Sequence, residues 1–129
     1  MNRAPDIEIY VPKITAGEAA DWLTEVFTHC ELGRKKKGMP KNAQPVYVQW
    51  QSQKIFGVIY EQVVNGYTSI WLDSNELPWP SDKECAHSAA EYFNRPVRFV
   101  EDSWQQQQDP DAWQEVSENG ETQSLIWKT

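Results

Sequence analysis

Four side chains with metal-binding or nucleophilic chemistry occur as two close pairs, His29 with Cys30 and Cys85 with His87. Imidazole and thiolate are the usual protein ligands of zinc, and a thiol beside an imidazole is a usual nucleophile–base pair. The spacing weighs against both. Adjacent helical residues diverge by about 100°, so His29 and Cys30 cannot easily chelate one ion together, and Cys85 and His87 diverge further. Standard zinc-ligand spacing is absent. Both cysteines fall on core-facing positions of predicted helices, where a free thiol acts as a small hydrophobe. A small enzyme or metal protein built on these four residues is therefore an alternative reading, and no metal or other cofactor is expected.

Other catalytic templates are missing. The sequence holds no Gly-x-Ser-x-Gly elbow. Its six glycines, at positions 17, 33, 38, 57, 66 and 120, are too scattered for a phosphate-cradling loop. The carboxylate pairs Glu101/Asp102 and Asp109/Asp111 read as exposed acidic loops rather than acid–base machinery. A non-catalytic chain is the expectation.

The aromatic residues are more unusual: seven Trp, five Tyr and four Phe. Trp22, Trp50, Phe56, Trp71 and Phe93 fall at core-facing spacing. Trp79, Trp104 and Trp113 lie in polar or proline-bounded stretches, and the Leu77–Pro80 segment is rigid enough to present Trp79 outward. Tryptophan concentrates at interface hot spots because it buries a large area and loses few rotamers. Together with the neighbouring carboxylates, Trp79, Trp104, Asp109, Asp111 and Trp113 form the candidate binding surface.

Charge suggests what such a surface would meet. The chain carries −7 overall, but residues 1–71 are net +1 and residues 72–129 net −8. An acidic half attracts basic protein surfaces and repels nucleic acid on average. Five of the twelve basic residues, Arg34, Lys35, Lys36, Lys37 and Lys41, crowd one loop. That loop is an alternative anion site, for phosphate or nucleic acid, with Tyr47 available to stack a base. It lacks the broad basic face and recognisable motif of a nucleic-acid domain.

The elements that must position these residues follow from periodicity and punctuation. Ile7, Ile9 and Val11 alternate with polar neighbours as a half-buried strand, ended by Pro12. Thr15 and Glu18 form a capping box. The helix behind it aligns Ala19, Trp22, Leu23, Val26, Phe27 and Cys30, and is predicted to stop near Leu32 with Gly33 as terminator. Residues 33–45 read as a loop. Strands follow from Val46 to Trp50 and from Ile55 to Val64, joined by a turn at Ser52 and Gln53. Asn65-Gly66 is a strong type I′ hairpin signal leading into Tyr67–Leu72. Ser81 and Glu84 mark a second capping box, and the second helix turns Cys85, Ala86, Ala89, Ala90 and Phe93 inward until the residue before Pro96 stops it. Val97–Glu101 is a strand. Asn119-Gly120 closes a last hairpin between Trp113–Val116 and Gln123–Trp127. Gly57, inside a strand, marks a bulge or a close backbone approach.

The predicted class is α+β: a mainly antiparallel sheet with two helices on one face, in the order β-α-β-β-β-α-β plus a hairpin. The order is similar to that of ferredoxin-like α+β sandwiches, a likeness of architecture that implies no function. A chain of 129 residues suits a single domain. No apolar leader opens it, no run approaches the ~20 apolar residues of a membrane span, and two unpaired cysteines suit a reducing compartment. A soluble, cytoplasmic chain is expected. The leading functional expectation is a small binding protein, of inhibitor, immunity or regulator type, whose partner is another protein of basic character.

Overall fold

The computed structural model describes residues 6–100 and 111–128. Two of the candidate site residues, Trp104 and Asp109, lie outside the described residues. Eight strands and two helices follow one another as β1 (Ile7–Pro12), α1 (Ala16–Phe27), β2 (Cys30–Leu32), β3 (Ala43–Trp50), β4 (Gln53–Val64), β5 (Tyr67–Leu72), α2 (Asp82–Phe93), β6 (Val97–Phe99), β7 (Ala112–Val116) and β8 (Thr122–Ile126). The strands form one sheet in the order β2-β3-β4-β5-β1-β6-β7-β8. Every neighbouring pair is antiparallel. The fold is α+β, as the sequence implies, and the likeness to ferredoxin-like sandwiches goes no further than this general layout.

Register assigns each side chain to a face, because residues directly opposite each other in an antiparallel pair point the same way. Ile9 pairs with Ile70, Ile70 with Ile59 and Leu72 with Gly57, while Val97 pairs with Val116. Apart from Gly57, these residues and their alternate neighbours Ile7, Val11, Val46, Val48, Ile55 and Phe99 join one buried cluster with Trp22, Leu23 and Phe27 of α1 and Cys85, Ala86, Ala89 and Ala90 of α2. Both helices therefore cover the same face.

Gly57 lies on this covered face and has no room for a side chain. A Cβ there would stand 2.4 Å from the Trp71 carbonyl oxygen. The expected close backbone approach is real. The bulge in β4 lies further along, between Tyr60 and Val64, with Gln62 at φ 48°. It is stitched by buried Thr68, whose hydroxyl accepts from the Gln62 amide (2.9 Å) and donates to the Ile14 carbonyl (2.7 Å).

Several predicted boundaries shift. The first helix stops at Phe27, where Thr28 turns left-handed (φ 69°), not near Leu32. Residues 30–32 gain more by pairing with β3, Cys30 against Val48 and Leu32 against Val46, than by another helical turn. Strand β3 begins at Ala43, inside the predicted loop, and carries Pro45. The Thr15 capping box forms in full, with Glu18 N–H to Thr15 Oγ1 at 3.0 Å and Thr15 N–H to Glu18 Oε1 at 2.9 Å. At α2 the Ser81 hydroxyl instead takes the Lys83 amide and pairs with the Glu84 carboxylate, so the second box is partial. The turn between β3 and β4 falls at Gln51-Ser52 and that between β4 and β5 at Asn65-Gly66.

Candidate functional site

The face of the sheet without helices is built by the alternate residues. Tyr47 pairs with Phe56, Val58 with Trp71, and Trp71 with Glu8. Further along, Tyr10 pairs with Ser69 and with Arg98, Arg98 with Glu115, and Trp113 with Leu125. Aromatic rings recur across this face from β3 to β8. Most are half-buried. Near the β3 end, the Tyr47, Phe56 and Trp71 rings touch in sequence at 5.4 and 6.0 Å. The Trp71 indole donates to the Asp6 carboxylate at 2.7 Å.

The densest cluster lies at the other end. Trp113 and Trp127 meet at 4.7 Å between ring centres, and both set their edges against Tyr10, at 5.1 and 6.0 Å. Tyr67 packs on Trp127 at 4.7 Å. Edge-to-face and tilted contacts of this kind place ring hydrogens against the electron-rich faces. Into the cluster reaches Arg98, its guanidinium carbon 4.5 Å from the Trp127 ring centre and 4.9 Å from that of Tyr67. The same side chain bonds Glu115 at 3.0 Å, and both partners are mostly shielded from solvent. The face thus already holds one guanidinium, its own, between π faces and a carboxylate.

Electrostatics follow from partial burial. Burial, and then the nearby Glu8 carboxylate, pushes the Tyr10 phenol up to about 12. The Glu8 carboxyl is itself raised, chiefly by burial, against a hydrogen bond from Tyr10 that works to lower it. Tyr67 is raised as well, burial outweighing the Arg98 charge. Asp111 joins the cluster through the backbone, its carbonyl accepting from the Trp127 amide at 2.8 Å.

The sequence-selected residues separate under this geometry. Trp113 and Asp111 lie at the cluster. Trp79 does not: it is 7% exposed and stacks on Trp22, ring centres 5.4 Å apart, with Phe27 edge-on at 5.7 Å. The proline-bounded segment turns this indole inward because the gap between α1 and the sheet offers it two aromatic neighbours. That corrects the outward placement expected for Trp79.

The His29, Cys30, Cys85 and His87 grouping does not assemble. Cys30 is on the edge strand β2, whereas His87 approaches Thr122 on β8, the opposite edge (3.4 Å). Cys85 is 1% exposed in the core, and burial holds its thiol well above the usual range. The Cys30 thiol is raised to about 11 by burial. Neither resembles an activated nucleophile. Among the described residues no three His, Cys, Asp or Glu side chains gather around a metal-sized space.

The basic residues Arg34, Lys35, Lys36, Lys37 and Lys41 are all exposed on the β2–β3 connection, at the sheet edge opposite β7 and β8. That connection is folded back on itself. Lys35 Nζ donates to the Lys41 carbonyl, and Met39 N–H donates to the Lys36 carbonyl at 3.1 Å. The fold therefore separates the basic loop from the acidic β7–β8 end.

No protein-family model matches the chain, and no curated protein or solved structure matches it.

Sequence reasoning missed Tyr10, Tyr67, Arg98 and Trp127 as members of one cluster. A signal was present. Tyr10 alternates with the core residues Ile9 and Val11, so it must face away from the helices. What the sequence lacked was the strand order that sets β1, β5, β6, β7 and β8 near one another. No helix among the described residues is long and apolar enough to cross a membrane.

Proposed function

We propose that this chain is a non-catalytic binding protein that receives a basic segment of a partner protein on the helix-free face of its sheet. The observation behind the reading is the cluster of Tyr10, Tyr67 and Trp113, partly open to solvent around the buried Trp127 and already holding the Arg98 guanidinium against Glu115. A surface of π faces with the Glu8 carboxylate beside Tyr10 offers a partner's Arg or Lys the same two interactions, cation–π and carboxylate pairing. The chain's −7 charge adds attraction at long range. An inhibitor, immunity protein or regulator of a basic protein is the biological form that suits this chemistry, and a cytoplasmic setting suits its thiols.

The test is capture from a lysate of the source organism, with and without nuclease treatment, run in parallel with wild type, Trp113→Ala and a variant with Arg34, Lys35, Lys36 and Lys37 changed to Ser. A discrete basic protein is expected on the wild-type and loop-variant columns. Its retention by Trp113→Ala should fall tenfold or more, in line with an aromatic hot spot worth about 2 kcal/mol. Equal retention by all three proteins contradicts the reading.

A second reading has its own support. None of the five basic loop residues pairs with a carboxylate among the described residues. Several cations on one exposed loop suit a phosphate or nucleic-acid ligand, whose affinity would fall steeply with salt through counterion release. Loss of the captured material after nuclease, or on the loop variant alone, selects this reading.

A further inference from the structure

Strand β8 ends the sheet, and among the described residues its one neighbouring strand is β7. Two hydrogen bonds settle which of its backbone groups are used. The Trp127 amide donates to the Asp111 carbonyl at 2.8 Å, and the Ser117 amide donates to the Glu121 carbonyl at 2.7 Å. Along an antiparallel strand, successive residues turn their N–H and C=O alternately to one side and the other. Residues 121, 123, 125 and 127 therefore face β7. Thr122, Ser124 and Ile126 turn both backbone groups outward.

Open edges of this kind are normally blunted by charge, proline, a bulge or shortness. The opposite edge, β2, follows that rule, with three residues that include Glu31. β8 does not. Its five residues, Thr122–Ile126, carry no charge, no proline and no register shift. Ile126 is 56% exposed.

We infer that β8 pairs antiparallel with β8 of a second copy of this chain, centred on Ser124. Outward-facing residues must meet outward-facing residues, and this register does so throughout. Ser124 faces Ser124 of the second copy, and Thr122 faces Ile126 of the second copy, each such pair exchanging two backbone hydrogen bonds. Gln123 faces Leu125 of the second copy, so no like charges are opposed. The neutrality of the strand selects this occupant. A basic partner strand would meet no carboxylate along Thr122–Ile126, whereas the second copy presents the same neutral row in a register that satisfies every outward group. Leu125 and Trp127 lie on the helix-free face, so the pairing joins the aromatic faces of the two copies. The inference stands on the strand edge and is independent of what the aromatic face binds.

Each copy carries −7, so long-range repulsion opposes the dimer and salt strengthens it by screening. Binding of a basic partner responds to salt in the opposite direction. The deciding experiment is sedimentation equilibrium of the full chain from micromolar to near-millimolar concentration, at low and raised salt. Two variants accompany it. Ser124→Pro removes an outward N–H while sparing the bonds to β7. Ser124→Lys sets like charges directly opposite each other at the centre of the pair and leaves the backbone intact. A monomer–dimer equilibrium that tightens with salt is expected for the wild type, with Kd raised about tenfold or more in each variant by loss of central bonds or by repulsion. A wild type that stays monomeric at the highest concentration in raised salt overturns the inference. So does a folded Ser124→Lys variant that dimerises as well as the wild type.

Discussion

A methyl group on Gly57 would lie 2.7 Å from Leu72 Cδ2 as well as against the Trp71 backbone. The backbone contact cannot yield without parting β4 from β5. Gly57→Ala is therefore expected to cost about 1–3 kcal/mol, the range for overpacking a core, and thermal denaturation reads it as a fall of several degrees. Two tryptophans separate packing from recognition at the same scale. Trp79→Ala empties a stack between Trp22 and Phe27 and should cost about 3–5 kcal/mol, the usual range for a buried large aromatic. Trp113 is half-open, so Trp113→Ala should lower Tm by much less while weakening partner capture. Melting curves of the two variants, beside the capture experiment, check this division. Both residues sit in polar or proline-rich sequence. Trp79 is buried because Trp22 and Phe27, more than fifty residues earlier, supply its walls. That information is tertiary, whereas the alternation that puts Trp113 on the same face as Glu115 is local and was legible.

At the scale of elements, the two-residue hairpins were readable because positive φ has few sequence solutions. Asn65-Gly66 occupies φ 48° and 79°, as its type predicts. The β3–β4 turn uses Gln51 and Ser52, at φ 51° and 69°, residues that bear a side-chain penalty there. Ser52→Gly is expected to raise stability by up to about 1 kcal/mol through relief of that penalty, an increase visible as a higher denaturant midpoint. The edge of the sheet near β2 was not readable. Pro45 lacks the N–H that would bond to Gly33, and a proline in sequence argues for a loop. The Gln44 side chain repairs the defect, its Nε2 donating to the Gly33 carbonyl at 3.1 Å while Gly33 N–H donates to the Pro45 carbonyl at 2.8 Å. A side chain replacing a backbone donor leaves no periodic trace in the sequence. The same holds for the first helix, whose apolar spacing continues past Phe27 while pairing with β3 takes over the chain.

At the scale of the molecule, the described residues form a single sheet with a packed face and an aromatic face, basic at the β2–β3 edge and acidic at the β7–β8 edge. Its alkaline stability follows from the aromatic face. Tyr10 has a folded-state pKa raised from about 10 to about 12, because burial and Glu8 disfavour the phenolate. The folded state then holds a proton that the unfolded state has released. Tyr10 thus adds no penalty below pH 10, and stability falls as pH rises from about 10 to about 12. Denaturant midpoints across that window should decline in the wild type and decline less in Tyr10→Phe. The charge imbalance between the two halves of the chain was visible in the sequence, and the strand order turns it into a spatial separation. In the proposed function the partner binds on the aromatic face. Two-dimensional NMR of the indole N–H signals tests this, because Trp113 and Trp127 lie on the aromatic face and Trp22 and Trp79 in the core. On titration with the captured partner, the Trp113 and Trp127 signals should shift while those of Trp22 and Trp79, enclosed in the core, stay in place. Unmoved Trp113 and Trp127 signals, with shifts confined to the Arg34–Lys41 amides, would place the partner on the basic loop instead.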